Sequence, residues 1–400
     1  MKNVVLLTLD AARKDAFGYC GNKKDLSPTF DELASQSLVF TKAQTTGPYT
    51  QASFPGILTS SHFLEFGQPR GLSPKRTLVS EPVHDAGIVT AAFHSNPYLC
   101  DFLGWNRGWD TFYDSMDEEV DSRIPYVRGD RINRRAIEWL TSHSRQHRDK
   151  PFFMWLHYMD VHEPYMPNQR FADLADPALS MTQDEMYALF EDVILQRDVS
   201  DTDRVAVLRR LYDVHVREID TYFAELLNCL DELGNLSETA IIVTNDHGDE
   251  FNEHGGLSHD DKMYSELINA PLLIYGAGEQ GICDKVVSNT DIPPTIVNLF
   301  ELPAVDAFEG QSVVPSSGIA ERGVFGEAMD QRSKKGGDLD RDIYFYREGD
   351  LKIIHRPEPE TWELYNLAAD PKEQTNIFES ANEAERLKAK ILPRIRRWNC

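Results

Sequence analysis

The 400-residue chain carries 41 basic and 65 acidic side chains, a formal net charge of −24. That excess of acid repels nucleic acid and anionic membrane surfaces, so nucleic acid is excluded as a main partner, and an anionic substrate has to be drawn in by a local cation or metal. The length predicts one large domain with a smaller appendage, or a single domain with insertions.

From the N-terminus, short apolar runs at 4–9, Val89–Phe93, 152–156, 240–244 and Leu272–Tyr275 read as buried parallel strands. The first is too short for a signal-peptide core or a membrane span. The five cysteines (Cys20, Cys100, Cys229, Cys283, Cys400) are odd in number, scattered and without CxxC spacing, the pattern of reduced thiols. Together these predict a cytoplasmic protein without a membrane span, and leave its oligomeric state open. Helical patterns over 27–37, 130–142 and 203–233 alternate with the strands, as in an α/β sheet covered by helices on both faces. In the last of them Leu208, Leu211, Ile219, Phe223, Leu226 and Leu230 form the apolar stripe and Gly234 supplies the stop. The acidic, weakly periodic stretch 171–200 before it reads as an insertion at the mouth of a site, placed to act as a lid. Residues 276–281 satisfy GxGxxG, but a strand-like run follows instead of a helix, so they read as a turn and not as a dinucleotide site. Residues 332–340 read as a surface loop. The division expected is a catalytic domain over 1–340 and a small α+β subdomain over 341–400, with strands at 343–347 and 351–355, the run Trp362-Glu363-Leu364-Tyr365 and a helix over 382–398.

Two carboxylates stand directly after apolar strands. Asp10 follows 4–9, and Asp246 follows 240–244 with His247 and Gly248 behind it. Ligands of open α/β sheets bind at this strand-end edge, and two aspartates with one imidazole can hold a single divalent cation. A third element, Gly47-Pro48-Tyr49-Thr50-Gln51-Ala52-Ser53-Phe54-Pro55, leads a loop into a helix whose first turn favours an anion beside the Thr50 hydroxyl. Taken singly, each reads more readily as a helix cap or a turn. Their conjunction points to a metal-assisted hydroxyl nucleophile.

These segments resemble the motifs of sulfatases in the alkaline phosphatase superfamily. Asp10-Ala11-Ala12-Arg13-Lys14-Asp15 is similar to the opening metal motif, and Ser27-Pro28-Thr29-Phe30-Asp31 to the helix after it. The run from Phe153 through His157 and Asp160 to His162-Glu163-Pro164-Tyr165 resembles the catalytic-histidine segment, and Thr244-Asn245-Asp246-His247-Gly248-Asp249-Glu250 the second metal motif. Asp291-Ile292-Pro293-Pro294-Thr295 and the late Glu363-Leu364-Tyr365-Asn366-Leu367 continue the likeness in the right order over nearly the whole chain. The resemblance implies an alkaline-phosphatase-like fold, mixed but mainly parallel, flanked by helices.

For the site, the resemblance implies Asp10, Thr50, Asp246 and His247 around one divalent metal ion. Oxygen-rich ligation with one imidazole suits Mn, Mg or Ca, with Zn also compatible. A second cation on Asp160, His162 and His259 is disfavoured, because their spacing does not match the two-zinc pattern. Thr50 falls where sulfatases carry the Cys or Ser that becomes formylglycine. Ala11 replaces a second acidic residue, Phe54 replaces the Arg four residues after the nucleophile, and Phe93-His94-Ser95-Asn96 stands in place of Gly-Lys-Trp-His, so the formylglycine recognition pattern is absent. His162 is the candidate acid for the leaving group, with His157 beside it. His259 and Lys262 are candidates for the non-bridging oxygens, and His94 and Asn96 for substrate contact. The expected function is hydrolysis of a small anionic sulfate, phosphate or phosphonate ester through Thr50. A phosphoryl transferase or mutase, and a silent relative binding an anionic glycan, are the alternatives.

Overall fold

Parallel strands that lie in the middle of a sheet are covered on both faces, so their sequences are mostly apolar instead of alternating with polar residues. β1 (Asn3–Leu9) and β6 (Thr239–Asn245) meet that description, buried along their whole length. The computed structural model describes residues 1–66, 71–116, 118–259, 262–329 and 342–398, so the 332–340 loop lies outside the described residues. In chain order the other strands of this part are β2 (Ser37–Gln44), β3 (Val89–Phe93), β4 (Thr111–Tyr113), β5 (Phe152–Tyr158), the short pair β7 (Glu250–Phe251) and β8 (Leu257–Ser258), β9 (Leu272–Tyr275) and β10 (Gly281–Ser288). Eight of them form one sheet in the order β10-β2-β9-β6-β1-β5-β3-β4.

The helices are α1 (Pro28–Ala34), α2 (Thr50–Thr59), α3 (Ser80–Asp85), α4 (Gly129–Gln146), α5 (Gln169–Ala175), α6 (Gln183–Phe190), α7 (Thr202–Glu232), α8 (Ser265–Ile268), α9 (Ile292–Leu299) and α10 (Ala384–Trp398). Alternate side chains of the central strands point to opposite faces. Val5, Leu7, Met154, Ile241 and Val243 pack with α1, α4 and α7 on one side. Val4, Leu6, Phe153, Trp155 and Ile242 pack with α2, α3 and α9 on the other. The helix expected over 203–233 is α7, opened by the Asp201 carboxylate accepting from the amides of Asp203 and Arg204.

Two expectations are corrected. Leu272–Tyr275 was expected to be parallel, but it pairs antiparallel with both β2 and β6. Among the described residues between β6 and β9 there is no long crossover helix, only the four-residue α8, so β9 starts at the edge where β6 ended and runs back. The stretch 171–200 is no detached lid either. Phe171, Ala172, Met186, Val193 and Ile194 are buried in the same core as α7. Its end lies near His259, because Arg197 lines a cavity of about 320 Å³ with Gly256, His259 and Lys262. The glycine turn behaves as read: Gly276, Gly278 and Gly281 all take positive φ, and the chain enters β10.

The second sheet is antiparallel, in the order β11 (Val324–Met329), β12 (Asp342–Glu348), β13 (Leu351–Arg356), β14 (Thr361–Asn366), with α10 packed on its apolar face through Leu387 and Ile391. It draws its first strand from before residue 340. Among the described residues no helix is long and apolar enough to cross a membrane.

Candidate active site

The functional side chains gather where the strands run out. Asp10 follows β1, Asn96 lies just beyond β3, His157 is near the end of β5, Asp246 and His247 follow β6, and Thr50 opens α2. The Asp10 amide donates to the Tyr158 carbonyl at 2.8 Å. Ala11 then takes a left-handed φ of 55°, which a non-glycine residue adopts only where its surroundings hold it. Its amide donates to Asp246 Oδ1 at 3.3 Å, and its carbonyl accepts from the Tyr212 hydroxyl of α7 at 2.8 Å. The Asn245 carboxamide donates to the carbonyls of Ala12 at 2.9 Å and His247 at 2.8 Å, tying the two strand-end turns together.

Three buried atoms converge here without a hydrogen-bond partner: Asp10 Oδ1, Asp246 Oδ2 and His247 Nε2. His247 Nε2 lies 3.4 Å from Asp10 Oδ1 and 3.5 Å from Asp246 Oδ2. The other polar atoms of the same groups are satisfied. Asp246 Oδ1 accepts the His247 amide at 2.9 Å, His247 Nδ1 meets the Gly248 carbonyl at 3.0 Å, and Asp10 Oδ2 accepts from Asn96 and His157. Buried polar atoms are almost always paired, so lone pairs aimed at one another fit a divalent cation. The Thr50 hydroxyl, buried at the start of α2, hydrogen-bonds Asp246 and lies 3.3 Å from Asn96 Nδ2.

Electrostatics separates the two carboxylates. Burial pushes Asp10 up, but the His157 hydrogen bond and the surrounding imidazoles, His162 first among them, outweigh it and hold the group well below the usual range. Asp246 is driven well above its ordinary value by burial and by the neighbouring Asp10 charge. Burial and the nearby His259 push His247 down to about 3, which keeps its imidazole neutral and able to ligate.

The other expected site residues divide. His162 and His259 belong to the centre. Their rings are 5.0 Å apart, and lie 6.5 Å and 4.3 Å respectively from the ring of His247. His157 is completely buried, with Nε2 3.1 Å from Asp10 Oδ2 and Nδ1 2.9 Å from Thr8 Oγ1, so it orients the Asp10 carboxylate. Asn96 is also buried and bridges Asp10 and Thr50. His94 is buried against the faces of Trp155 and Phe112 at 5.3 Å and 5.0 Å, and burial with the neighbouring His157 pushes it down to about 3. It is therefore a core residue and not a substrate contact. Lys262 is not presented to the centre, because its ammonium donates to both Glu250 oxygens, at 2.9 and 2.7 Å, and to the His254 carbonyl at 2.7 Å. Phe54, in the position of the family's arginine, sets its ring against Trp155 and edge-on to His157 at 5.0 Å.

Sequence reasoning did not single out three contributors. Tyr212 and Arg13 brace the turn after Asp10: the Arg13 amide donates to the Tyr212 hydroxyl at 2.6 Å, and its guanidinium donates to the Asp249 carbonyl at 2.7 Å. The third, Asp249, is fully buried against His259. Its signal was a second carboxylate three residues after Asp246, inside the quoted motif.

Comparison with known proteins agrees with this geometry. The sulfatase family model matches residues 2–302, and the model of the N-sulphoglucosamine sulphohydrolase C-terminal region matches residues 252–399. The chain is 23% identical to an arylsulfatase of Clostridium perfringens, over 96% of this chain and 92% of that protein. Its fold is similar to the solved structure of BT4656 in complex with its substrate D-glucosamine-2-N,6-O-disulfate, with a TM-score of 0.82 at 18% identity, covering 100% of this chain and 98% of that one. It is also similar to the phosphonate monoester hydrolase of Agrobacterium radiobacter, with a TM-score of 0.76 at 17% identity over 99% and 95% of the two chains. The alkaline-phosphatase-like architecture is thus the one adopted, and the chain belongs to the sulfatase family of ester hydrolases.

Proposed function

We propose that the chain is a single-metal hydrolase of small anionic sulfate, phosphonate or phosphate esters, with the Thr50 hydroxyl as nucleophile in place of formylglycine. The observation that carries this reading is the convergence of Asp10 Oδ1, Asp246 Oδ2 and His247 Nε2, unpartnered and buried, next to the Thr50 hydroxyl. A divalent cation held by Asp10, Asp246, His247 and Thr50, with Mn, Mg or Ca suited and Zn compatible, would lower the pKa of the hydroxyl and screen the charge of the ester.

The chain's own groups supply the rest. Thr50 Oγ1 attacks sulfur or phosphorus, and the bond to the leaving oxygen breaks. The hydroxyl proton passes to Asp246, a carboxylate within reach of Thr50. His162 Nδ1 faces the Glu163 carbonyl at 2.7 Å, which leaves Nε2 as the ring position that protonates the departing oxygen. His259 offers a donor to the non-bridging oxygens as their charge grows. Water then attacks the Thr50 ester at sulfur or phosphorus and restores the hydroxyl.

Thr50 also narrows the substrate. A formylglycine diol releases sulfate by collapsing to an aldehyde, an exit closed to a plain hydroxyl. The second step therefore has to be attack at the central atom, which favours phosphorus. The full-length likeness to a phosphonate monoester hydrolase supports the same direction, and the sugar sulfate bound by the similar BT4656 structure brings sulfated amino sugars into the test.

The test is turnover of matched nitrophenyl sulfate, phosphate, phosphodiester and phosphonate esters and of D-glucosamine-2-N,6-O-disulfate. Metal-stripped protein is resupplied with Mn²⁺, Mg²⁺, Ca²⁺ or Zn²⁺. Metal-dependent turnover of one ester class, lost in Thr50→Ala, is expected. Binding of metal with turnover of none of them rejects the reading in favour of a silent binding protein.

A further inference from the structure

We propose that Asp249 is a positioning residue that presents His259 to the ester, and that Tyr165 holds Asp249 for that task; this rests on the hydrolase reading above. Asp249 is completely buried. Its Oδ1 lies 2.7 Å from His259 Nδ1, and its Oδ2 accepts from the Tyr165 hydroxyl at 2.6 Å. Its main-chain carbonyl is held by the Arg13 guanidinium at 2.7 Å. Tyr165 is itself fully buried, braced by the rings of Tyr212 at 5.8 Å and Phe251 at 5.5 Å. The carboxylate therefore has no freedom to turn, and neither does the imidazole it accepts from.

A carboxylate only accepts, so the hydrogen bond places a proton on His259 Nδ1 and sets Nε2 on the opposite side of the ring as the nitrogen that meets substrate, donating to an ester oxygen when the ring carries its second proton. The ring stands 4.3 Å from that of the ligand His247 and opens onto the cavity of about 320 Å³ that Arg197 and Gly256 also line. A chain of hydrogen bonds thus runs from the core through Tyr165 and Asp249 to the edge of the reaction centre. Such a shell fixes both the tautomer and the direction of a histidine.

His247, Asp249 and His259 also lie close enough together to bind a second cation. The other contacts argue against it. His247 Nε2 is directed at Asp10 and Asp246, and both Asp249 oxygens are taken, by His259 Nδ1 and the Tyr165 hydroxyl.

The experiment is a double-mutant cycle on the best ester of the wild type, with metal content and melting temperature measured for every variant. Asp249→Asn is expected to lower kcat by about 10–100-fold, the range for lost support of a site residue, while KM shifts by less than about threefold and bound metal stays constant. His259→Ala is expected to lower kcat at least as far, and adding Asp249→Asn to it to cost nothing more, because the group being positioned is gone. Losses that multiply in the double variant, a loss carried by KM, or release of a second metal ion with Asp249→Asn would each overturn the proposal. If Asp249→Asn does not fold, Tyr165→Phe takes its place: a smaller kcat loss that vanishes in the His259→Ala background supports the proposal, and the same loss in both backgrounds overturns it. A wild type that turns over no ester removes the hydrolase reading, and this inference with it.

Discussion

The Asn96 carboxamide donates to Asp10 Oδ2 at 2.8 Å, and the same nitrogen lies 3.3 Å from Thr50 Oγ1. One amide beyond β3 thereby ties the Asp10 carboxylate to the Thr50 hydroxyl at the start of α2. Its own orientation is set by Asn96 Oδ1 accepting from the Tyr98 amide at 2.9 Å. Asn96 is better described as part of the frame around Asp10 and Thr50 than as the substrate contact expected from its place in the motif.

Asn96→Ala is accordingly expected to lower kcat by about 10–100-fold with KM nearly unchanged. Steady-state kinetics on the preferred ester checks this. A loss borne wholly by KM would return Asn96 to the role of substrate contact.

Metal should stabilise the fold as well as support turnover. Without it, Asp10 and Asp246 face each other unscreened in a buried site. A ligand present at about 100 times its dissociation constant adds about 2.7 kcal/mol, so chelation is expected to abolish turnover and lower the melting temperature, and metal to restore both. In Asp246→Asn the thermal response to metal should be largely lost. An unchanged response there would move the cation elsewhere.

Stability should fall at alkaline pH through a group remote from the site. Glu327 in β11 is completely buried, its Oε1 accepting the Leu64 amide at 2.6 Å, and burial pushes its carboxyl up to about 8 from an ordinary 4.5. The folded state thus holds a proton that the unfolded chain releases. The stabilising contribution is complete below about pH 4.5 and is lost as pH rises through about 8. Glu327→Gln should gain stability over the wild type above about pH 8, on the order of a few kcal/mol, and little near pH 5. Melting curves of both proteins across this range test it, and a difference that does not change with pH would contradict it.

Lys262 and Glu250 form a largely buried pair. Lys262→Met leaves the Glu250 carboxylate buried without its cation, a change that typically costs about 3–5 kcal/mol. Adding Glu250→Gln should recover much of it. Thermal denaturation of the single and double variants measures both effects. A Lys262→Met variant with normal stability but collapsed kcat would show that the ammonium reaches substrate after all.

Legibility in the sequence followed the range of the interactions. β1, β3, β6 and β9 were readable because burial on both faces leaves a mostly apolar run, and α7 because its stripe repeats over many turns. The direction of β9 was not, since an apolar run carries no sign of which way it points; only the path through α8 decides that. β11 was missed because buried Glu327 breaks an apolar pattern in a short strand. The burial of 171–200 depends on α7, whose matching face is distant in the chain. In the site, Asp10, Thr50, Asp246 and His247 stand at strand and helix ends inside contiguous motifs, so local order was enough. The tasks of Asn96, Lys262 and Asp249 are set by partners that no local pattern announces: Asp10 is 86 residues from Asn96, Glu250 is 12 from Lys262, and Tyr165 is 84 from Asp249.

The central claim is that the Thr50 oxygen takes the transferred group. Rapid-quench mass spectrometry of the metal-loaded protein, mixed with its best ester, tests it most directly. The account predicts one sulfuryl, phosphoryl or phosphonyl adduct per chain on the peptide that carries Thr50, formed and lost at rates matching turnover and absent from an inactive Thr50→Ala. Turnover by Thr50→Ala at the parent rate, with no adduct on that peptide in the wild type, would contradict it.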